Sequence, residues 1–255
     1  MAGPRQRAGS VLTRRQPRLT GLLGGSFNPA HGGHRRVSLF ARAALGLDEV
    51  WWLVSPGNVL KPAQGMAPLP ARVASARRQA RRAPIRVTAI ERELGTRYTI
   101  DSLRALVRRY PRRRFIWLMG ADNLAQFHRW KDWRAIARTM PIAVVARPGY
   151  DAAAMASPAM VWLRRWRRRC RQECDGALWP DAGPAGGAAL NASFPHDPMQ
   201  GAPALFILRF DPDPRSATAL RRAEPDWAGR LSVAGLRDGV THRRLAPACC
   251  GRSGR

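Results

Sequence analysis

One stretch of the sequence decides the fold of this chain: Gly24-Gly25-Ser26-Phe27-Asn28-Pro29-Ala30-His31-Gly32-Gly33-His34. A short apolar run, residues 19–23, precedes it and predicts a buried strand. Apolar residues at helical spacing, from Val37 to Leu45, follow it. The stretch therefore forms a strand-to-helix turn, where free backbone N–H groups and the helix dipole favour a bound anion.

The residue types in this turn suit a phosphate. Its glycines lack a Cβ, so the backbone can approach a ligand closely, and Asn28-Pro29 delays the start of the helix. His31 and His34 are three residues apart, so in a first helical turn their imidazoles lie on the same side and can contact one ligand. No recognisable triad pattern gives Ser26 a base. We therefore interpret the turn as a phosphate-handling site.

The turn resembles the GxFxPxHxGH signature of the nucleotidyltransferases that join a nucleotide phosphate to ATP, and it is most similar to that of the nicotinate-nucleotide adenylyltransferases. The resemblance implies that His31 and His34 are catalytic. It also implies that four residues at the start of the turn contact ATP or its phosphates: Gly24, Gly25, Ser26 and Phe27. The alternative is a plain turn with two solvated histidines.

Length and composition favour one α/β domain. The chain has 255 residues, enough for a sizeable domain with its own core. The sequence has no run of about 18 apolar residues, so we expect no membrane span. Residues 1–18 are basic and lack an apolar centre, which predicts a flexible leader rather than a signal peptide, and a cytoplasmic enzyme.

The net charge of +27 is typical of proteins that bind polyanions. Among the 44 basic residues, however, only Lys61 and Lys131 are lysines, and this arginine bias also fits GC-rich codons. We therefore expect no specific nucleic-acid partner, although phosphate-bearing substrates would be attracted. The cysteines form neither a disulfide framework nor zinc-type pairs; a metal site from Cys170, Cys174 and His196 is the less favoured alternative to reduced thiols.

Six apolar runs of strand length alternate with helical patterns. The predicted strands are residues 19–23, 50–54, 85–88, 114–119, 141–146 and 204–210. This alternation predicts βαβ units, and hence an α/β fold with a doubly wound, Rossmann-like parallel sheet flanked by helices. We assign residues 19–227 to this nucleotidyltransferase domain, with a flexible insertion at 175–203 and a weakly ordered tail at 228–255.

A further helix is predicted to begin at Ser157-Pro158, where serine caps and proline occupies the first turn. Four apolar residues then recur at every fourth position: Trp162, Trp166, Cys170 and Cys174. Such a stripe suits either the core or a subunit contact, so the pattern leaves a homo-oligomer open.

Polar residues follow several of the predicted strands, at the sheet edge where ligands bind. The resemblance implies that five residues contact the nicotinate nucleotide: Asn58, Lys61, Tyr98, Thr99 and Trp130. We expect Trp130, as an exposed aromatic, to stack on the pyridine ring and Thr99 to cap its helix. Lys131 could contact the nicotinate carboxylate, with a solvated lysine as the alternative. The same alternative applies to Lys61.

Two further segments resemble nucleotide-binding motifs of the family. Asp122, in Gly120-Ala121-Asp122, matches a GxD motif beside the bound nucleotide, with a simple helix cap as the alternative. The second motif resembles ISSTxxR and places Ser216, Thr218 and Arg221 at a helix N-terminus, where they would hold the β- and γ-phosphates. Mg²⁺ would arrive on ATP, since the sequence shows no dedicated protein metal site.

The predicted reaction transfers the adenylyl group of ATP to nicotinate mononucleotide, giving nicotinate adenine dinucleotide and pyrophosphate for NAD biosynthesis. Two alternatives stay open. One is another adenylyltransferase or cytidylyltransferase with an HxGH turn, such as pantetheine-phosphate adenylyltransferase, which resembles this chain less because it has Thr in place of the first His. The other is a basic nucleic-acid-binding protein, which would explain the charge but not the ordered motifs.

Overall fold

A six-stranded sheet forms the centre of the molecule. The computed structural model describes residues 17–57, 65–146, 151–168, 201–209 and 217–245. The strands are β1 (Arg18–Gly25), β2 (Glu49–Val54), β3 (Ile85–Thr88), β4 (Arg113–Gly120), β5 (Ile142–Ala146) and β6 (Leu205–Arg209). Every pairing is parallel, in the order β3-β2-β1-β4-β5-β6. The expected α/β, doubly wound, Rossmann-like sheet is confirmed.

Helices connect the strands and cover both faces. They are α1 (Gly32–Leu45), α2 (Leu69–Ala80), α3 (Ile90–Leu94), α4 (Thr99–Arg109), α5 (Ala121–Gln126), α6 (Trp133–Thr139), α7 (Asp151–Met155), α8 (Pro158–Leu163) and α9 (Ala217–Ala223). Short 3₁₀ turns follow α5 at Phe127–Arg129 and α8 at Arg164–Trp166. Among the described residues, no helix has the length and apolar character needed to cross a bilayer.

Two apolar clusters lie on opposite faces of the sheet because side chains alternate along each strand. Trp52 of β2 packs in the cluster covered by α1 and α2, while its neighbour Trp51 packs in the cluster covered by α4 to α6 and α8. Both tryptophans are almost completely buried. A strand that is apolar on both faces is typical of a parallel sheet covered on both sides, which the continuous run at residues 50–54 predicted.

The helix predicted from Ser157-Pro158 is shorter than its sequence pattern suggests. The Ser157 hydroxyl accepts a hydrogen bond from the Met160 N–H (3.2 Å), which confirms the cap, but α8 ends at Leu163. The chain then turns toward the sheet, where the Arg168 N–H donates to the Leu205 carbonyl (2.8 Å). This pairing with β6 replaces further helical hydrogen bonds. The predicted stripe is confirmed for Trp162 and Trp166, whose ring centroids lie 4.3 Å apart although a 3₁₀ turn carries Trp166. Cys170 and Cys174 lie outside the described residues.

Residues 228–245 pack against the edge of β3, although their sequence predicts weak order. The buried Asp238 carboxylate accepts hydrogen bonds from the Thr88 hydroxyl (2.9 Å) and the Ala89 N–H (2.6 Å). Leu245 enters the cluster beneath α1 and α2. The predicted leader, the insertion up to residue 200 and the last ten residues of the tail lie almost wholly outside the described ranges.

The strand order reverses between β1 and β4. The chain leaves β1 toward β2 and β3 on one side, and it returns to β4, β5 and β6 on the other. In open parallel sheets, the carboxyl ends of the two strands at such a switch point leave a crevice that binds ligands. β1 ends at Gly25, within the turn of residues 24–34 that contains His31 and His34, and β4 ends at Gly120.

Candidate active site

The two histidines of the turn form a reciprocal cap at the start of α1. His31 is the N-cap, and its Nδ1 accepts a hydrogen bond from the Gly33 N–H (3.2 Å). His34 lies three residues later, and its Nδ1 accepts one from the His31 N–H (3.2 Å). The ring centroids are 4.0 Å apart. The structure thus brings the two imidazoles together, as their spacing predicts.

This cap also determines which nitrogen of each ring carries the proton. A neutral imidazole has one N–H donor and one acceptor nitrogen. Because Nδ1 of both His31 and His34 accepts from a backbone N–H, the hydrogen bonds assign the proton of each neutral ring to Nε2. Each ring therefore carries its N–H donor on the nitrogen farther from its own backbone.

Buried groups hold His34 in place from the side of the sheet. The Phe27 ring is 4.9 Å from the His34 ring and stacks on Trp52 at 5.0 Å. The Ser38 hydroxyl donates to the His34 carbonyl (2.8 Å) and accepts from the Trp52 indole N–H (2.7 Å). The side chain of Phe27 is thus part of the core, which leaves its backbone as the part of this residue that can contact a phosphate.

Gly24 is needed for close packing rather than for turn flexibility. A Cβ at this position would lie 2.5 Å from the indole ring of Trp117 on β4. The centroid of that ring is in turn 6.3 Å from the centroid of Trp130. Trp117 therefore connects the turn after β1 (residues 24–34, the phosphate turn predicted from sequence) with the loop after α5 that carries Trp130 (residues 127–133, the aromatic loop).

Arg221 on α9 reaches the phosphate turn from the far end of the sequence. Its Nη1 donates to the Asn28 carbonyl (2.6 Å), and its Nη2 donates to the Thr218 hydroxyl (3.2 Å). Two of the three residues proposed for the β- and γ-phosphates thus lie beside the histidine turn. Ser216, the third, lies outside the described residues.

The Asn28 side chain joins the turn to the segment before α2. Its Nδ2 donates to the Gly65 carbonyl (2.9 Å), and its Oδ1 accepts from the Ala67 N–H (3.2 Å). The intervening residues 58–64, which include the predicted nucleotide contacts Asn58 and Lys61, lie outside the described part of the chain.

Arg72 on α2 is the main residue of this site that the sequence analysis missed. It is 1% exposed, and its guanidinium donates hydrogen bonds to backbone carbonyls of the turn and of the end of β2. In the sequence, Arg72 looks like any other arginine on a helix. The one available signal was that the buried residues Ala76 and Ala80 follow it at every fourth position, on the face toward the sheet.

Tyr98 and Lys131 form a second group of predicted site residues. The Lys131 Nζ lies 4.4 Å from the centroid of the Tyr98 ring and 3.7 Å from Asp101 Oδ2. Thr99 is the first residue of α4, and the N-cap is Tyr98, so the predicted cap at Thr99 is wrong. The reason is that extended Tyr98 already presents its carbonyl to the N–H groups of Asp101 and Ser102.

Trp130 is half-buried, whereas the sequence predicts an exposed aromatic. Its ring makes edge-on contacts with Phe127 (centroids 5.4 Å apart) and Trp117, and its indole nitrogen is buried with no hydrogen-bond partner in the described part of the chain. Edge-on packing fixes the plane of the indole. The ring is therefore held in one orientation before any ligand arrives.

Asp122 and Glu91 are two acidic residues near these loops, besides Asp101. Asp122 is exposed in the first turn of α5, whose N-cap is Gly120, so the helix-cap alternative does not describe it. Glu91 Oε1 accepts from the Ser102 hydroxyl (2.9 Å). Burial raises the pKa of Glu91, and that hydrogen bond only partly offsets the effect. Within the described ranges, no three His, Cys, Asp or Glu side chains are grouped to hold a metal ion.

This chain is similar in sequence to one family of known proteins. The model of the cytidylyltransferase-like family matches residues 22–223. A probable nicotinate-nucleotide adenylyltransferase of Erythrobacter litoralis is 64% identical over 226 residues, covering 89% of this chain and 94% of the relative. One from Cereibacter sphaeroides (strain ATCC 17025) is 59% identical over 141 residues, covering 55% and 76% respectively. A solved nicotinic acid mononucleotide adenylyltransferase of Plasmodium falciparum, complexed with NaAD, has a TM-score of 0.48 at 15% identity, covering 55% of this chain and 72% of that one.

Proposed function

Since this chain belongs to the cytidylyltransferase-like family, and within it to the nicotinate-nucleotide adenylyltransferases, we propose that it transfers the adenylyl group of ATP to nicotinate mononucleotide. The products are nicotinate adenine dinucleotide and pyrophosphate, and the reaction is a step in NAD biosynthesis. The names of the relatives favour this acceptor over phosphopantetheine. The expectations of a cytoplasmic enzyme and of no specific nucleic-acid partner stay predictions.

The reciprocal cap of His31 and His34 is the observation that carries this proposal. It places two imidazole rings 4.0 Å apart at a helix N-terminus, with the proton of each neutral ring on Nε2. Helix N–H groups and two nearby donors suit the oxygens of a phosphate chain. The contact of Arg221 with the Asn28 carbonyl adds a cation at the same turn.

In the proposed reaction, an oxygen of the 5′-phosphate of nicotinate mononucleotide attacks the α-phosphorus of ATP. A new phosphorus–oxygen bond forms as the bond to the pyrophosphate oxygen breaks. The attacking phosphate is already an anion at neutral pH, so the protein needs to supply alignment and charge stabilisation rather than a base. Mg²⁺ enters as part of the substrate MgATP, because it binds well through phosphates.

We assign the donors by their place in the turn. The Nε2–H groups of His31 and His34 would donate to the phosphate oxygens whose charge rises in the transition state. Backbone groups of Gly24, Gly25, Ser26 and Phe27 would line the phosphates. Ser216, Thr218 and Arg221 would hold the β- and γ-phosphates as they leave, and Asp122 would contact the ATP side of the site.

The second substrate would bind at the aromatic loop. The plane of Trp130 is held by edge-on contacts with Phe127 and Trp117, and this indole would stack on the pyridine ring. Lys131, next to Tyr98 and Thr99, would approach the nicotinate carboxylate, and its contact with Asp101 would then compete with that interaction. Asn58 and Lys61 are proposed to contact the same nucleotide.

The test is pyrophosphate release from MgATP with nicotinate mononucleotide, nicotinamide mononucleotide and phosphopantetheine as parallel acceptors. We expect strong preference for the nicotinate substrate. Release with phosphopantetheine alone would keep the reaction class but reject the proposed pocket. No release with any acceptor would reject adenylyl transfer to these substrates.

A further inference from the structure

A buried arginine lies between the two loops of the site at the carboxyl ends of β1 and β2. Arg72 Nη1 donates to the carbonyls of Ser26 (2.9 Å) and Ser55 (2.7 Å). Its Nη2 donates to the Pro56 carbonyl (3.2 Å), and its Nε donates to the Ala67 carbonyl (2.8 Å). One guanidinium therefore joins the phosphate turn, the end of β2 and the start of α2.

The charge of Arg72 has an unusual environment. A buried cation is normally paired with a carboxylate, because its desolvation costs several kcal/mol. Among the described residues, no carboxylate contacts Arg72, and carbonyl dipoles are its partners. Burial lowers the pKa of its guanidinium to about 10, so the group is still a cation at neutral pH. A buried positive charge of this kind favours an anion nearby.

The hydrogen bond to Ser26 also fixes the direction of a backbone donor. The peptide bond between Ser26 and Phe27 is trans, so its C=O and its N–H point in opposite directions. With the Ser26 carbonyl held toward Arg72, the Phe27 N–H points away from it. Among the described residues, nothing accepts a hydrogen bond from this N–H. The same argument applies to the Gly57 N–H, which follows the Pro56 carbonyl.

We propose that Arg72 is a positioning residue for adenylyl transfer: it holds the carbonyls of Ser26 and Pro56 inward, so that the Phe27 and Gly57 N–H groups face the substrate phosphates. The inference rests on the proposed function. Arg72 itself touches no substrate. It acts by orienting the backbone donors and by placing a fixed positive charge next to the phosphate turn.

Three variants test this role. Arg72→Met removes the charge and all four hydrogen bonds, and Arg72→Lys keeps the charge without the planar fork. Arg77→Met is the matched control, because Arg77 lies on the same helix, is exposed and contacts the Arg237 carbonyl away from the turn. For each variant, circular dichroism gives the folded fraction, and pyrophosphate release gives kcat and KM per folded enzyme.

We expect Arg72→Met to lower kcat about 100-fold, the scale of one lost oriented donor, with a much smaller change in KM for nicotinate mononucleotide. Arg72→Lys should regain part of kcat, and Arg77→Met should match the wild type. A purely structural role would lower the folded fraction and leave kcat per folded enzyme unchanged. That result with either Arg72 variant would overturn the inference, and Arg72→Lys decides the matter if Arg72→Met does not fold.

Calorimetric binding of pyrophosphate separates this inference from the proposed function. If the wild type releases no pyrophosphate with nicotinate mononucleotide, the proposed function fails. Arg72 should nevertheless matter for phosphate binding, and we then expect Arg72→Lys to bind pyrophosphate about tenfold more weakly than Arg77→Met, a loss of about 1.4 kcal/mol. Equal affinities of these two variants would overturn the positioning role.

Discussion

The reciprocal cap predicts that two substitutions of His34 have separable effects. Asparagine places its Oδ1 near the position of the imidazole Nδ1, so His34→Asn can still accept from the His31 N–H that His34 now binds at 3.2 Å. It lacks any group at the Nε2 position. His34→Gln has an amide near the Nε2 position but no acceptor for the cap.

The magnitudes follow from what each variant loses. His34→Asn should keep the free energy of unfolding close to that of the wild type and lower kcat about 100-fold to 1000-fold, because one transition-state donor is lost. His34→Gln should lose about 1 kcal/mol of stability, as for a removed helix cap, which corresponds to a melting temperature about 2–4 °C lower. It should retain more kcat than His34→Asn.

The assay is pyrophosphate release under saturating MgATP and nicotinate mononucleotide, with thermal unfolding followed in parallel. Near-normal turnover of His34→Asn would refute the assignment of Nε2 as a phosphate donor. A stable His34→Gln variant combined with an unstable His34→Asn variant would refute the reasoning from the cap.

Three further outcomes can be measured on the same protein. Lys131→Ala should lower the ratio of kcat/KM for nicotinate over nicotinamide mononucleotide about fivefold, because it removes a charge-assisted hydrogen bond that solvent exposure has already weakened. An unchanged ratio would reject the contact. Asp238→Asn should cost about 2–3 kcal/mol in urea unfolding, since its carboxylate accepts four hydrogen bonds, whereas the substitution of exposed Asp226, just before this segment, by Asn should be neutral. Equal urea midpoints for these two variants would contradict the stabilising role of the Asp238 carboxylate. Burial alone would raise the pKa of Glu49, but hydrogen bonds from Trp51 and Arg86 and the charge of Arg113 outweigh it and hold the pKa below its usual range. The stability advantage of the wild type over Glu49→Gln should therefore be full at neutral pH and shrink as the pH falls through the pKa of the folded state, and a difference independent of pH would contradict this.

The sequence alone determined the elements of the fold and the centre of the site. Hydrophobic periodicity is a local property, so the six strands and the strand-to-helix turn could be predicted within one or two residues at most ends. The spacing of His31 and His34 is also local, since both belong to one helical turn. Those predictions depended only on neighbours along the chain.

The tertiary structure decided how distant segments complete the site. Arg221 contacts a carbonyl 193 positions earlier, and Arg72 joins three segments that the sequence shows only as a strand end, a turn and a helix start. The polar neighbours of Trp130 in the sequence predict an exposed ring, yet Trp117 from β4 packs edge-on against it. Residues 228–245 show no regular apolar pattern, and Asp238 orders them by accepting hydrogen bonds from Thr88 of β3 and from Ala89. Such contacts depend on where the chain crosses the sheet, which no local pattern encodes.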